Sequence, residues 1–270
     1  MYMHIDEALQ KDWTEKTMIV FDLDGTLTES KSTLTREMSL LLQKLLAKKQ
    51  AAIIGGGSYG QFEKQFLAHF SCPTALLKNL SLFPTSGTRF YAHDGNLWQE
   101  VYSHTLSSEE KQKIFNAFER VFEEASYEHP HTVYGEMFED RGTQIAFSFL
   151  GQDVVLELGR EEGVALKEEW NRDNNAEREK MVFSLREILP EFEVRTGGLT
   201  TIDVTKKGID KGYGIRQIET HLKVPKSEML FMGDALHTEG NDYPVLREGV
   251  HAIAVKNPHD TKKIIEMLLS

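Results

Sequence analysis

The sequence predicts an α/β protein with a doubly wound parallel sheet, interrupted by an inserted α+β domain. Short apolar runs alternate with amphipathic segments from Thr17 to about residue 70, and the same alternation returns from Lys211 to the C-terminus. Runs that are apolar on both faces are typical of strands in a parallel sheet covered by helices. Between these two regions the pattern changes, which indicates a second domain inserted into the first.

Composition sets the broad class of the protein. The 270 residues are 40% hydrophobic and 27% charged, which excludes a disordered or low-complexity chain. The net charge of −11 argues against a nucleic-acid partner, because such proteins normally carry a basic face. No apolar stretch reaches the ~18 residues of a membrane span, and the single Cys72 excludes an internal disulfide. We therefore expect a cytoplasmic protein that binds neither membranes nor nucleic acid.

The first region reads as a strand–helix–strand unit. Met18–Phe21 and Ala51–Ile54 are predicted strands, and a helix is predicted between them over Arg36–Lys48. Thr35 stands directly before this helix and is a favourable N-cap residue. A further helix is predicted over Gln61–Phe70.

The C-terminal region continues the same alternation. Its predicted helices are Lys211–Leu222, Tyr243–Arg247 and Pro258–Leu269, the last with proline in its first turn. Met229–Met232 and Ala252–Val255 are predicted strands. These segments are expected to extend the parallel sheet.

The intervening region combines helices with alternating strands. Ser108–Ala125 and Arg178–Leu189 are predicted helices, Gln144–Leu150 is a predicted strand, and Val194–Val204 alternates around a glycine pair. Alternation of this kind is typical of an antiparallel sheet with one covered face. We therefore expect an α/β core over residues 1–97 and 208–270, and an inserted domain over 98–207.

Acidic residues follow two of the predicted strands. Asp22 and Asp24 come directly after the first strand, and Asp234 and Asp242 follow Met229–Met232. Ligands of open α/β sheets bind at the carboxyl ends of strands. Two carboxylates ~4 Å apart repel by about 4 kcal/mol at an effective dielectric of ~20, so a group of them needs a cation. Hard oxygen donors without cysteine or histidine indicate Mg²⁺.

The glycine cluster Gly55–Gly60 spells G-x-G-x-x-G between a strand and a helix. A dinucleotide site of this type also needs an acidic residue ~20 positions later, and Ser71–Leu82 contains none. We therefore interpret these glycines as backbone donors to a phosphate group.

The Asp-x-Asp-Gly-Thr loop at Asp22, together with Gly233-Asp234, resembles the haloacid dehalogenase (HAD) superfamily of phosphotransferases. The resemblance implies a Rossmann-like core with an inserted cap domain. It implies that Asp22 is a nucleophile forming an aspartyl-phosphate and that Asp24 is the general acid/base. The remaining implied residues are Ser58 and Lys211 at the transferred phosphoryl group, and Asp22, the Asp24 carbonyl, Asp234, Asn241 and Asp242 at or near Mg²⁺.

Over most of the chain the resemblance narrows to eukaryote-type phosphomannomutases and their hexose-phosphate relatives. The segments that carry it are Asp22–Lys31, Gly56–Ser58, Arg141–Arg160, Gly197–Val204 with Asp210-Lys211, and Gly233–Asp242, whose acidic pairs are separated by six residues. The family pattern implies substrate contacts from Lys31, Gly57, Arg141, Arg160, Thr201 and Asp203. Arginine suits phosphate because its planar fork binds two oxygens at once.

Three positions depart from that family's pattern. Lys31 stands where the family usually has arginine, Ser148 where it often has arginine, and Thr85–Gly87 where it has Glu-Asn-Gly. The distal-phosphate site is therefore expected to be less cationic than in the family.

The resemblance implies Mg²⁺-dependent phosphoryl transfer on a sugar phosphate. The favoured function is that of a phosphomannomutase-like enzyme, which converts hexose 6-phosphate to hexose 1-phosphate. The resemblance also implies hexose 1,6-bisphosphate as the activator and a homodimer formed through the cap. A sugar-phosphate phosphatase of the same superfamily is the alternative. A non-catalytic sugar-phosphate sensor is disfavoured, because such a protein is expected to have lost an acid or the lysine, and all are present.

Overall fold

A computed structural model describes residues 2–30, 32–238 and 240–270 of the chain. In these residues the strands are β1 (Tyr2–His4), β2 (Met18–Phe21), β3 (Gln50–Ile54), β4 (Leu80–Phe83), β5 (Arg89–His93), β6 (Trp98–Ser103), β7 (Phe138–Asp140), β8 (Gln144–Ser148), β9 (Phe192–Gly197), β10 (Thr201–Lys206), β11 (Met229–Gly233) and β12 (His251–Ala254). The helices are α1 (Ile5–Ala8), α2 (Arg36–Leu46), α3 (Tyr59–Gln65), α4 (Thr74–Leu77), α5 (Ser108–Glu124), α6 (Val154–Leu158), α7 (Arg160–Ile188), α8 (Lys211–Leu222), α9 (Tyr243–Arg247) and α10 (Pro258–Leu269).

The chain folds into two units. One comprises the residues up to Ser103 together with Ile209–Ser270, and the other is His104–Gly208. The described strands of the first unit form one sheet in the order β1-β12-β11-β2-β3-β4-β5-β6. In this spatial order, the five pairings between β1 and β4 are parallel. The last two pairings, β4 with β5 and β5 with β6, are antiparallel.

Alternate residues of β2 pack on opposite faces of this sheet. Ile19 and Phe21 lie in an apolar cluster with residues of α2 and α10, whereas Met18 and Val20 lie in a second cluster with residues of α8. All four are fully buried, and each such side chain contributes about 1.5–3 kcal/mol of transfer free energy. Helices on both faces explain why β2 is apolar throughout, and they confirm the predicted doubly wound architecture.

The second unit has a sheet of its own. Its described strands form the order β7-β8-β10-β9, and every pairing is antiparallel. Residues of α5 and α7, among them Ile114, Phe118 and Leu185, share an apolar cluster with Phe147 and Val204 of the sheet. This unit is therefore the α+β insertion that the alternating strands predicted.

Several observed bounds differ from the predicted ones. The helix predicted over Gln61–Phe70 is α3, Tyr59–Gln65, followed by a separate 3-10 turn at Leu67–His69, and the helix predicted over Arg36–Lys48 ends at Leu46.

Trp98–Ser103, which the sequence pattern places in the insert, pairs with β5 in the first unit, so the second unit is His104–Gly208 and not 98–207. The helix predicted over Arg178–Leu189 begins earlier, at Arg160. The sequence pattern does not indicate its first half, because that half is polar and shows little helical periodicity. Among the described residues, every helix is too short or too polar to span a bilayer.

Candidate active site

Two neighbouring strands of the first unit end in acidic residues. Asp22 follows β2, and Asp234 follows β11, which pairs with β2 in parallel register. The Asp22 backbone N–H donates to the carbonyl of Met232 at 2.9 Å, so the two chain segments stay side by side beyond the strands. Carboxylate oxygens of Asp22, Asp234 and Asp242 lie within 4.8 Å of one another. The structure thus brings together three acids that are far apart in sequence.

Lys211, the first residue of α8, lies inside this acidic group. Its Nζ donates to Oδ1 of Asp22 at 2.6 Å, to Oδ1 of Asp242 at 2.6 Å and to Oδ1 of Asn241 at 3.3 Å. Only 1% of Lys211 is exposed. Although burial by itself would lower the Lys211 pKa, the charges of Asp22 and Asp242 raise it, so this lysine is an ammonium ion in the folded protein.

The three carboxyl groups of this cluster outnumber its one ammonium group. Burial raises the pKa of Asp22 well above its usual value, with further increases from Asp242 and Asp234, and Lys211 opposes the shift. Burial and then the charge of Asp242 raise the pKa of Asp234 to about 6. Three carboxylates facing one ammonium leave two negative charges, which a divalent cation would neutralise. Oxygen donors of this kind fit Mg²⁺.

Two glycines allow the acidic segments to approach so closely. Gly25 has a φ of +79°, and a Cβ at that position would collide with the Asp234 carboxylate. A Cβ on Gly233 would collide with the carboxylate of Asp242. Asp242 is further held by the backbone N–H of Ala235, which donates to its Oδ2 at 3.0 Å. The loops after β2 and β11 are therefore shaped around the carboxylates.

The Asp24 carboxylate contacts α3. Nε2 of Gln65 donates to Oδ1 of Asp24 at 2.7 Å, and Nε2 of Gln61 lies 3.4 Å from Oδ2. Sequence reasoning did not identify these two glutamines. Their signal is modest: two amide side chains four residues apart on the first helix after Ser58.

Ser58 and the glycine loop follow β3, which pairs with β2 on the side away from β11. Ser58 is the N-cap of α3, and its Oγ accepts from the backbone N–H of Gln61 at 3.4 Å. The backbone N–H of Thr85 donates to the carbonyl of Gly57 at 2.8 Å, and that of Ser86 donates to the carbonyl of Gly55 at 2.8 Å. The Thr85–Gly87 turn therefore braces the glycine loop.

Four predicted substrate-binding residues lie in the second unit. Arg141 follows β7 and pairs with Glu139, its Nε and a terminal nitrogen lying 2.8 and 2.6 Å from Oε2. Thr201 and Asp203 are on β10, and Arg160 is the first residue of α7. Burial raises the pKa of Asp203, while the nearby Arg141 charge opposes this shift.

Two positions that depart from the phosphomannomutase pattern have different outcomes. Ser148 ends β8 and its Oγ donates to the Gly151 carbonyl at 2.7 Å, so its hydroxyl closes the following turn. Lys31, a predicted substrate-binding residue, lies outside the residues that the structure describes.

Comparisons with known proteins agree with this geometry. The family model described as haloacid dehalogenase-like hydrolase matches residues 19–266. The chain is 29% identical over 259 residues to a phosphomannomutase of Encephalitozoon cuniculi, covering 94% of each protein. It is 27% identical over 273 residues to a phosphomannomutase of Saccharomyces cerevisiae, covering 99% of this chain and 100% of the yeast protein.

Solved structures share the fold. An IMP-bound mutant of a Plasmodium falciparum IMP-nucleotidase superposes with a TM-score of 0.71 at 16% identity, covering 98% of this chain and 70% of that one. A trehalose-6-phosphate phosphatase of Aspergillus fumigatus superposes with a TM-score of 0.59 at 15% identity, covering 100% of this chain and 99% of that one. At these identities the likeness establishes the fold alone.

Proposed function

This chain belongs to the haloacid dehalogenase-like hydrolases and is an enzyme of their phosphotransferase or phosphatase type, and from that premise we propose that it is a phosphomannomutase-like enzyme acting through Asp22. It would interconvert hexose 6-phosphate and hexose 1-phosphate. The observation that carries the proposal is the buried cluster in which Lys211 contacts Asp22 and Asp242 beside Asp234. The phosphomannomutases similar to this chain over nearly its whole length support the substrate class.

The proposed metal site uses the acidic group after β2 and β11. Its ligands would be Asp22, the Asp24 carbonyl and Asp234, with Asn241 and Asp242 beside it. The raised pKa values of Asp22 and Asp234 support a cation there, because both carboxyl groups are held in an environment that disfavours their charge. When bound, Mg²⁺ would neutralise the repulsion between the Asp22 carboxylate and the substrate phosphate.

In the first proposed step, an Asp22 carboxylate oxygen attacks the phosphorus atom of one phosphate group of the bound sugar phosphate, which in a mutase is a hexose 1,6-bisphosphate. The bond between phosphorus and the sugar oxygen breaks, its electron pair stays on that oxygen, and Asp24 supplies the proton that completes the sugar hydroxyl. Lys211 holds Asp22 in place, and its positive charge offsets charge on the transferring group. Ser58 and Gly57 would donate hydrogen bonds to the phosphoryl oxygens.

The second step reverses these roles. A hydroxyl group attacks the aspartyl-phosphate, Asp24 accepts its proton, and the Asp22 carboxylate is released. In a mutase the attacking group is the free hydroxyl of a bound hexose monophosphate, so that a hexose 1,6-bisphosphate forms again. This bisphosphate then returns its other phosphoryl group to Asp22 and the isomeric monophosphate is released. Added hexose 1,6-bisphosphate acts as activator because it phosphorylates Asp22. Turnover as a mutase requires that water be kept from the aspartyl-phosphate.

Residues of the insert would bind the rest of the substrate. Arg141 and Arg160 are proposed to bind the phosphate that does not react, with Thr201 and Asp203 at the sugar hydroxyl groups and Lys31 contributing a further positive charge. The homodimer through the cap and the cytoplasmic location remain predictions.

A sugar-phosphate phosphatase is the second candidate, and two observations favour it. Arg141 is already paired with Glu139, and the Ser148 hydroxyl closes a turn where the phosphomannomutase pattern often has arginine. A weaker hold on the non-reacting phosphate would favour release of the hexose monophosphate before its free hydroxyl attacks the aspartyl-phosphate. Water would then complete the reaction.

Phosphorus NMR distinguishes the two candidates. Mannose 1-phosphate and glucose 1-phosphate are incubated with the enzyme and Mg²⁺, with and without hexose 1,6-bisphosphate, and Asp22→Asn serves as the control. A hexose 6-phosphate signal that depends on Asp22 supports the mutase. Inorganic phosphate alone supports the phosphatase, and turnover that survives in Asp22→Asn contradicts both.

A further inference from the structure

A pair of glutamines on α3 holds both oxygens of the Asp24 carboxylate. Nε2 of Gln65 donates to Oδ1 of Asp24 at 2.7 Å, and Nε2 of Gln61 lies 3.4 Å from Oδ2. Gln61 also donates to Oε1 of Gln65 at 3.0 Å. The two amides therefore form a connected pair, which we call the amide clamp (Gln61 and Gln65).

The clamp is anchored in the loop that carries the catalytic aspartates. Nε2 of Gln65 also donates to Oγ1 of Thr28 at 2.7 Å, and Thr28 Oγ1 lies 3.3 Å from the carbonyl of Leu23. Gln65 is only 5% exposed, and its backbone carbonyl accepts a hydrogen bond from the backbone N–H of Leu34 at 2.8 Å. Gln65 is therefore fixed at its backbone, its amide nitrogen and its amide oxygen.

The clamp also couples two parts of the candidate site. Ser58, proposed to bind the transferring phosphoryl group, caps the same helix, and its Oγ accepts from the backbone N–H of Gln61. A Cβ on Gly57 would collide with Oε1 of Gln61, so this side chain packs directly against the glycine loop. A single short helix thus sets the position of the glycine loop relative to Asp24.

Hydrogen bonds to both oxygens fix the orientation of a carboxyl group. Each carboxylate oxygen has two lone-pair sites, and an amide N–H pointing at one of them on each oxygen fixes the plane of the group. The direction in which Asp24 can meet a sugar oxygen is then fixed by the two amides. Proton transfer to or from a sugar oxygen requires such a fixed direction, because general acids work only within hydrogen-bond reach of the reacting atom.

We propose that Gln65, supported by Gln61, is a positioning residue that orients the Asp24 carboxyl group for proton exchange with the sugar oxygen. The inference rests on the proposed function, since it assigns a role to Asp24 in phosphoryl transfer. It adds a determinant of the proton-transfer step that lies outside the Asp-x-Asp loop, on the helix that follows the glycine loop.

The test uses two substitutions of Gln65 and a matched control. Gln65→Glu keeps the shape of the side chain and replaces its donor by an acceptor, and Gln65→Leu removes both polar atoms. Gln43→Glu introduces the same charge change on α2, outside the clamp. Three quantities are measured for each full-length protein with Mg²⁺: kcat and KM for the best hexose phosphate, and the affinity for beryllofluoride, which mimics a phosphoryl group on an aspartate.

We expect kcat of both Gln65 variants to fall at least about tenfold, a share of the roughly hundredfold or larger contribution of general acid–base catalysis. KM and beryllofluoride affinity should stay within about threefold of wild type, because the nucleophile, lysine and metal ligands are untouched. Gln43→Glu should match wild type in all three. Gln61→Ala should show a smaller fall in kcat, since its contact with Asp24 is longer.

Two results would overturn the inference alone: kcat within about twofold of wild type in both Gln65 variants, or losses of kcat and beryllofluoride affinity in parallel, which indicate general damage to the site. A different result would overturn the proposed function instead. If wild type does not bind beryllofluoride, or if Asp22→Asn keeps full turnover, Asp22 is not the nucleophile and the role of the clamp is lost with it.

Discussion

The two units of the molecule each contain a cluster of charged side chains, and the clusters are balanced differently. In the first unit Lys211 faces three carboxylates, and Asp22 and Asp242 are almost completely buried. In the second unit Arg141 has its own acid, Glu139, and 39% of that acid's side chain is exposed. The first cluster has one positive charge for three acids, whereas in the second Arg141 lies beside Glu139 and near Asp203, and the cluster is partly open to water.

This difference indicates how each cluster responds to change. In the first cluster, loss of Lys211 would leave the buried carboxylates of Asp22 and Asp242 without a positive charge, which is costly in a low dielectric. The pair of Arg141 and Glu139 lies nearer to water, with 11% of the arginine side chain and 39% of the glutamate side chain exposed, so solvent partly compensates for the loss of either partner. Its arginine can therefore exchange a carboxylate for a phosphate. We expect changes in the first unit to abolish the reaction and changes in the second to adjust its substrate.

The largest expected effect is at Asp22, the proposed nucleophile. Asp22→Asn should lower turnover of the best hexose phosphate at least about a thousandfold, because an amide cannot form the covalent intermediate. Asp6→Asn, an exposed change on α1, should leave turnover unchanged. Steady-state kinetics with Mg²⁺ measure both, and comparable rates for the two variants would remove the distinction between the clusters.

Removal of the buried ammonium should affect both stability and activity. Lys211→Met leaves Asp22 and Asp242 facing each other without a positive charge, and we expect a loss of about 3–5 kcal/mol in the free energy of unfolding. Turnover should be lost as well. Lys44→Met, an exposed change on α2, provides the matched control in urea denaturation. Wild-type stability for Lys211→Met would show that the cluster is less desolvated than its burial indicates.

The first cluster should bind a divalent cation in competition with protons. The pKa of Asp234, raised to about 6, makes this group more often protonated in the folded than in the unfolded protein between pH 4 and 6. Its contribution to the stability of the metal-free protein is therefore present below about pH 4 and is lost as the pH rises through about 6. The stabilisation by Mg²⁺ should grow over the same interval.

Thermal unfolding at several pH values measures this competition. We expect the rise in Tm on adding Mg²⁺ to be larger at pH 7 than at pH 5, and to be smaller in Asp234→Asn at both. At Mg²⁺ about a hundredfold above its Kd, the stabilisation should reach about 2.7 kcal/mol. A Mg²⁺ effect that is independent of pH and of Asp234 would place the cation elsewhere.

The smallest effects are expected in the second unit. Arg141→Ala should raise KM about tenfold with little change in kcat, because it removes binding that does not change during the reaction. Glu139→Gln should lower KM a few fold, since the substrate phosphate no longer competes with that carboxylate for Arg141. Arg120→Ala, at an exposed pair on α5, is the control. A large fall in kcat in Arg141→Ala would show that the insert takes part in the chemical step.

Short, strongly patterned segments of the first unit were predictable from sequence. Met18–Phe21 is apolar on both faces because helices cover both, and α8 and α10 have the bounds that their periodicity indicated. The N-cap role of Thr35 is also confirmed, with the Met38 N–H donating to its Oγ1 at 3.2 Å. Local patterns were sufficient where burial follows directly from position in the sheet.

Other features depend on contacts that no local pattern shows. Trp98–Ser103 is half exposed, and its sequence pattern resembles that of the inserted domain. Only its pairing with β5 places it in the first unit. The polar first half of α7 hides a helix whose apolar contacts come from its second half. Gln61 and Gln65 could not be linked to Asp24 from sequence, since the contact requires α3 to lie against the loop after β2.

The identity of the nucleophile is the central claim, and trapping the intermediate tests it most directly. Enzyme with Mg²⁺ is mixed with hexose 1,6-bisphosphate, quenched in acid within one turnover, reduced with borohydride and digested for peptide mass spectrometry. We predict that residue 22 is converted to homoserine, the product of reducing an aspartyl-phosphate, and that Asp24 is not. Reduction at any other carboxylate, or turnover without a trapped phosphoenzyme, would contradict the account.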